Sequence, residues 1–248
     1  MCRHFLEQGH RVFLLDVNEE ELTHTTTVHL KAHAGRYDSA LCDLRDVSAI
    51  RKTVRKAADF FGGHIDVLVN NGGVSSANWR DGATMEDEGT MEQWQAYVDT
   101  NLTAPFAVSQ ACIPFMKADD ETHVERAGPC IIHISSFRAL QSDPNQEGYA
   151  ATKAGQLGLS QSMAISLAQW GIRVNLVAPG RIKVAHECKE GDEKGAQWEQ
   201  SEKDVEEHPA NRAGMPEDVV QAVEYLTNAG FVTGQEITVD GGKTKVKS

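Results

Sequence analysis

The sequence predicts a single α/β domain, residues 1–248, built on a doubly wound parallel sheet. Short apolar segments recur along the chain, each too brief for a helix, and stretches with helical apolar spacing separate them. A length of 248 residues suffices for one sizeable core and is too short for two comfortable ones. Strands buried on both faces read as near-continuous apolar runs, and parallel neighbours need a helical crossover, so this alternation favours a parallel sheet covered on both sides.

The elements follow in order. Phe5-Leu6-Glu7-Gln8-Gly9 reads as the tail of a helix with Gly9 placed as its C-cap. The strand Val12-Phe13-Leu14-Leu15 runs to Asp16, and a helix is expected near 19–34. Ala40-Leu41 is a second strand with Asp43-Leu44 beyond its end, and a helix over 47–61 leads to the strand Val67-Leu68-Val69 and then Asn70. A long helix is expected over 90–117, capped by Asn101 or running through it, before the strand Cys130-Ile131-Ile132-His133-Ile134. After the loop carrying Ser135 and Ser136 come a helix over 149–170, the strand Val174-Asn175-Leu176-Val177, and a charged segment over 185–210. A helix over 216–228 and the strand Glu236-Ile237-Thr238-Val239 complete the pattern. In such sheets ligands bind beyond the C-terminal ends of the strands, which is where Asp16, Asp43, Asn70 and Ser136 fall.

Chemistry concentrates at one spacing. Tyr149 and Lys153 lie four residues apart in a predicted helix, hence on one face, and Ser136 precedes the tyrosine by thirteen residues. A free phenol titrates near pKa ~10, and a fixed ammonium beside it is expected to favour the phenolate and lower that value. Ser136 could hold a substrate oxygen while Tyr149 gives or takes its proton.

Composition excludes several other functions. Lys and Arg number 24 against 36 Asp and Glu, a formal charge of -12, which disfavours nucleic acid and anionic membrane partners. Cys2, Cys42, Cys112, Cys130 and Cys188 contain no CxxC pair and do not suggest a disulfide framework, which fits a reducing, cytoplasmic setting. No apolar stretch approaches 18 residues and no basic-then-apolar leader stands at the start. His29 and His33 could share a helix face and His24 lies near, but no neighbouring Cys or carboxylate completes a ligand set, so no metal site is expected.

Further motifs surround the triplet. Asn70-Asn71-Gly72-Gly73 follows a buried strand, Asn101 opens Asn101-Leu102-Thr103-Ala104-Pro105-Phe106, Pro179-Gly180 closes another strand, and Asp240-Gly241-Gly242 follows the last. In order and spacing these resemble the short-chain dehydrogenase/reductase family over nearly the whole chain. The resemblance implies a Rossmann-like fold and an NAD(P)-dependent oxidoreductase acting on a secondary alcohol or ketone. It implies catalytic roles for Asn101, Ser136, Tyr149 and Lys153, with Ser135 a competitor to Ser136. Asp16 would hold the adenosine ribose, favouring NAD with NADP possible; Asp43 and Leu44 would meet adenine. Asn70, Gly72, Tyr149, Lys153, Pro179, Gly180 and Ile182 would line the remainder of the cofactor. Segment 185–210 resembles the family's variable substrate lid, and Arg212, Gly214 and Pro216 its structural closing motif. A homodimer or homotetramer, formed through helices 90–117 and 149–170, is the family's default.

Two departures stand against this pattern. In the dinucleotide fold the acidic residue follows the glycine-rich phosphate loop by about 20 residues, so counting back from Asp16 leaves no room for that loop or for the first strand. The loss would leave two inner strands with unpaired groups or force them together. A truncated sequence, a natural short form with weakened or absent cofactor binding, and a rearranged sheet that binds cofactor by its other contacts all satisfy the observation. Val184 also replaces a threonine usual in the family. A non-catalytic scaffold that has lost nucleotide binding is therefore the alternative to an enzyme.

Overall fold

The computed structural model describes residues 1–117, 127–184, 189–194 and 201–246. Helix α1 (Cys2–Glu7) leads into β1 (Val12–Asp16), which pairs in parallel with β2 (Tyr37–Leu41). The strands β3 (Val67–Asn70), β4 (Cys130–Ile134), β5 (Arg173–Pro179) and β6 (Glu236–Val239) form a second parallel set in that order. Parallel neighbours require crossovers, which α2 (Glu19–His24), α4 (Thr90–Tyr97), α5 (Ala104–Met116), α6 (Glu147–Leu167), α7 (Lys189–Lys194), α8 (Glu202–Glu206) and α9 (Pro216–Asn228) supply, while α3 (Val47–Phe61) connects β2 to β3. The expected α/β class is what forms. The sheet, however, is divided: among the described strands no ladder joins β1–β2 to β3–β6. Neither β1 nor β2 is therefore forced together with β3, the other outcome the sequence left open.

Period-two alternation sorts the central strands between two cores. Ile131 and Val174 face one side, where Ile50 and Val54 of α3, Cys112 and Met116 of α5, and Met163 and Leu167 of α6 pack on them. Cys130, Ile132 and Val177 face the other, against Val219, Val223 and Leu226 of α9. Burying each large aliphatic side chain contributes roughly 1.5–3 kcal/mol, so β4 and β5, covered on both faces, anchor the molecule.

Local chemistry sets the helix ends. Asp46 caps α3 by accepting from the Ser48 and Ala49 amides at 2.8 and 3.1 Å, and Gly62 ends it at φ 85°, where a side chain would be strained. The helix expected over 19–34 is not continuous. After α2, residues 25–29 form a π turn and 31–33 a 3₁₀ turn. The cause is the β-branched run Thr25-Thr26-Thr27-Val28, a poor helix former whose hydroxyls bond back to the chain: Thr26 donates to Leu22 O and Thr27 to Thr23 O at 2.9 and 2.7 Å. The helix expected over 90–117 is likewise α4, a π turn over 98–103, and α5. Pro105 has no N–H to give the Asn101 carbonyl four residues back, and Gln156 Nε2 donates to that carbonyl instead. Asn101 is thus not an N-cap.

The segment expected to be a lid carries α7 and α8 where it is described; Cys188 and Trp198 lie outside the described residues. No described helix is long and apolar enough to cross a membrane.

Candidate active site

Ser136 follows β4 and starts a 3₁₀ turn, its hydroxyl accepting from the Arg138 amide at 3.2 Å. Tyr149 lies in the first turns of α6, and Lys153 stands one turn further on, as the spacing predicts. Both Ser136 and Tyr149 line a cavity of about 570 Å³, together with Gly180, Arg181, Gln141 and His208. Lys153 is buried behind the tyrosine, with Nζ 5.6 Å from the phenol ring centroid and donating to the Ile134 carbonyl at 3.0 Å.

The electrostatics reverse one expectation. Burial pushes the Tyr149 phenol above its ordinary value, and a hydrogen bond with Ser136 and the Arg138 charge only partly offset this. The lowering expected from Lys153 is not found, because desolvating the phenolate outweighs the charges around it. The lysine feels the same environment: burial pulls its pKa down to about 8.

Several neighbours were not foreseen. Tyr97 packs edge-on against Tyr149 with ring centroids 6.3 Å apart, and edge-on against Trp79 at 5.6 Å. Its hydroxyl donates to Ser76 O at 3.0 Å, while Trp79 Nε1 donates to Glu147 at 2.8 Å. Gly148 makes this cluster possible, since a Cβ there would lie 2.6 Å from the Tyr97 ring. His133 of β4 is fully buried, its pKa pushed down to about 4 by desolvation and then by the Lys153 charge. Its Nε2 has no partner among the described residues. No local pattern could have marked these residues, since their contacts cross the sheet or the loop after β3.

Asn101, fully buried, accepts from the Val74 amide at 2.8 Å and donates to Thr152 Oγ1 at 3.4 Å. It fixes the loop after β3 against α6. Gly73 allows the approach, because a Cβ there would meet Asn101 Oδ1 at 2.8 Å.

The residues expected to line a cofactor divide into two groups. Asn70 turns inward, donating to Ser109 Oγ at 3.0 Å, so its side chain ties β3 to α5. Gly72 lies under Leu44, whose Cδ1 a Cβ would meet at 2.7 Å, and Leu44 packs against the core. Pro179 ends β5; Gly180 abuts the Asp240 backbone and lines the cavity; Ile182 bridges to Gly214 and packs in the second core. Val184 is exposed. At the other end, Asp16 is exposed and accepts from the Asn18 amide at 2.9 Å, while Asn18 rather than Asp16 caps α2. Asp43 does not cap α3 either: Arg45 grips its carboxylate at 2.7 and 3.0 Å and holds its pKa low.

A nicotinamide dinucleotide fits one half of this arrangement better than the other. Around the cavity, Tyr149, Gly180 and the nearby Lys153 offer a polar, partly buried wall, and the exposed Asp16 carboxylate retains acceptor capacity for ribose hydroxyls. A diphosphate needs converging N–H donors or cations. The helix after β1 instead opens with Glu19, Glu20 and Glu21, and Arg45 after β2 is committed to Asp43. Among the described residues no diphosphate cradle is found at these strand ends.

Residues 1–244 match the family model described as enoyl-(acyl carrier protein) reductase. An uncharacterized oxidoreductase of Thermotoga maritima is 33% identical over 243 residues, spanning 97% of this chain and 88% of that protein. The 3-oxoacyl-(acyl-carrier-protein) reductase FabG of the same organism is 31% identical over 240 residues, or 96% of this chain and 89% of that protein. Among solved structures, an apo SCOR enzyme from Clostridium thermocellum superposes with a TM-score of 0.76 at 29% identity, covering 100% of this chain and 88% of the other. A short-chain dehydrogenase/reductase of Serratia marcescens shares the fold at a TM-score of 0.77 and 24% identity, covering 98% and 91%. These matches span the same elements that gather Ser136, Tyr149 and Lys153, and the chain belongs to the short-chain dehydrogenase/reductase family of oxidoreductases.

Proposed function

We propose that this chain is an NAD(P)-dependent oxidoreductase that interconverts a secondary alcohol and a ketone. The observation that carries the reading is the placement of Ser136 and Tyr149 on the wall of one cavity, with Lys153 buried behind them. When bound, the nicotinamide supplies or accepts the hydride. The chain's own groups handle the oxygen and its proton. The Ser136 hydroxyl orients the carbonyl, and Tyr149 Oη delivers the proton to it. A phenol is protonated at neutral pH, and burial, which raises its pKa, does not change that, so the reducing direction has a proton donor in place. Lys153 limits the cost of the phenolate left behind and, by family resemblance, holds the nicotinamide ribose. Asn101 is a positioning residue, setting the loop at Val74. Asp16 would hold the adenosine ribose, and its charge disfavours a 2′-phosphate, so NAD is preferred.

A homodimer or homotetramer through α5 and α6 is part of the proposal, supported by Phe106, 49% exposed, and Ile165, 81% exposed, on those helices.

A second reading, a non-catalytic scaffold, is favoured by the acidic opening of α2 and the lack of a diphosphate cradle among the described residues. Titrating NADH into the purified protein and following nicotinamide fluorescence separates them. Saturable binding supports the enzyme; no binding at millimolar NADH supports the scaffold.

A further inference from the structure

His24 ends α2 and His29 ends the π turn that follows it. Five residues along an α-helix would put these rings on different faces. The π turn, closed by the Leu30 amide donating to Thr25 O at 3.0 Å, brings them onto the same one. The rings meet edge-on with centroids 5.3 Å apart. The sequence spacing pointed instead to His29 with His33, but His33 faces Arg36, whose Nη2 lies 2.9 Å from its Nδ1.

The carboxylate missing from the local sequence arrives from α7. Asp192 Oδ2 stands 2.7 Å from His24 Nε2 and 2.9 Å from His29 Nε2, and the three potential ligand atoms lie within 4.8 Å of one another. Among the described residues this is the one group of three with such spacing. Hydrogen bonding accounts for only part of it. His24 is hydrogen-bonded to the carboxylate, whereas the buried His29 Nε2 lies within ion-pair distance of it at 2.9 Å without making a hydrogen bond among the described residues.

We propose that His24, His29 and Asp192 bind a single divalent transition-metal ion of the zinc class, which clamps α7 onto α2. Two imidazoles and one carboxylate form a donor set for zinc, cobalt or nickel rather than for magnesium or calcium, which prefer oxygen alone. Metal–ligand bonds of about 2.0–2.1 Å in a tetrahedral site separate ligand atoms by roughly 3.3 Å, so the carboxylate oxygen would retreat by a few tenths of an ångström to admit the ion. Three protein ligands leave a fourth position for water. The surroundings favour a cation. Glu20 and Glu21 on α2 and Glu193 on α7 add carboxylates on the same two helices, and Lys189 is engaged by them: its Nζ pairs with Glu20 and Glu193, and its backbone amide donates to Glu21 at 2.9 Å.

The test uses untagged, chelator-stripped full-length protein. Calorimetric titration with Zn²⁺ should show one tight equivalent, and Co²⁺ should give the visible absorption of a tetrahedral site. His24→Ala and His29→Ala should each weaken Zn²⁺ at least about tenfold, as should Asp192→Asn, which sits on an exposed helix surface and leaves packing intact, while His33→Ala should bind as the parent does. Zn²⁺ should slow hydrogen exchange over 189–194 in the parent and not in Asp192→Asn. Absence of a tight equivalent overturns the proposal, as does binding unchanged by Asp192→Asn or lost with His33→Ala. None of these readouts depends on nucleotide binding or turnover.

Discussion

Tyr149 sits where desolvation and charge pull its pKa in opposite directions, and in this protein desolvation prevails. In the proposed reaction this phenol, beside Ser136 on the cavity wall, would serve as the proton donor, and the pKa of Lys153, lowered to about 8 by burial, reflects the same desolvation. His133, on the strand beside them, makes that desolvation measurable. The unfolded chain protonates this imidazole below pH ~6.5, whereas the folded chain holds it neutral down to about 4. Its folded pKa being depressed, stability is lost as the pH falls through that window, by about 2 kcal/mol between pH 7 and pH 5. Urea unfolding at both pH values should show a shallower acid loss for His133→Leu than for the parent. Equal losses in the two proteins would remove His133 from the account. At this scale the placement of Tyr149 and Lys153 was legible because helix geometry fixes an i, i+4 pair, and that of Ser136 because it follows a buried strand at a fixed spacing before them. Tyr97, Trp79 and His133 were not, because only folding brings them to the site.

At the scale of elements, short-range chemistry decided where the expected helices break. The threonine run after α2 and Pro105 after Asn101 each open a π turn, and each turn re-aims a side chain: His29 toward His24, and Asn101 into the protein. Apolar periodicity foretold both helices but carries no information about a single extra residue per turn. The start of α6 shows the same sensitivity in packing. At Gly148 a methyl group would meet the Tyr97 ring at 2.6 Å and Trp79 at 2.7 Å, and Tyr97 is held by its hydroxyl. Gly148→Ala should therefore cost about 1–3 kcal/mol by overpacking and, by shifting the adjacent Tyr149, lower turnover as well. Urea denaturation checks the first effect; an alanine variant as stable as the parent would mean that the aromatic cluster is loosely packed.

For the whole molecule, the parallel α/β class and all six strands were readable, because buried strands and crossover helices alternate in the sequence. The division of the sheet was not readable in detail: the sequence left open whether the strands on either side of the missing phosphate-loop pattern would pair or stay apart. β4 and β5 are buried along almost their whole length, while β1 and β2 form a half-buried pair with no further ladder among the described strands. Two-stranded pairs are marginal without packing support, so amides of 12–16 and 37–41 should exchange with solvent far faster than those of 130–134 and 173–179. Uniform protection across all six strands, measured by hydrogen exchange, would show that the two sets unfold as one unit.

The proposed reaction turns on the proton carried by Tyr149. The direct measurement is steady-state reduction of a panel of simple ketones by the parent and by Tyr149→Phe, with NADH affinity measured for both. Loss of turnover by about 10²–10⁴-fold at unchanged NADH affinity is the predicted result. A phenylalanine variant that reduces the same ketone at the parent's rate would contradict it.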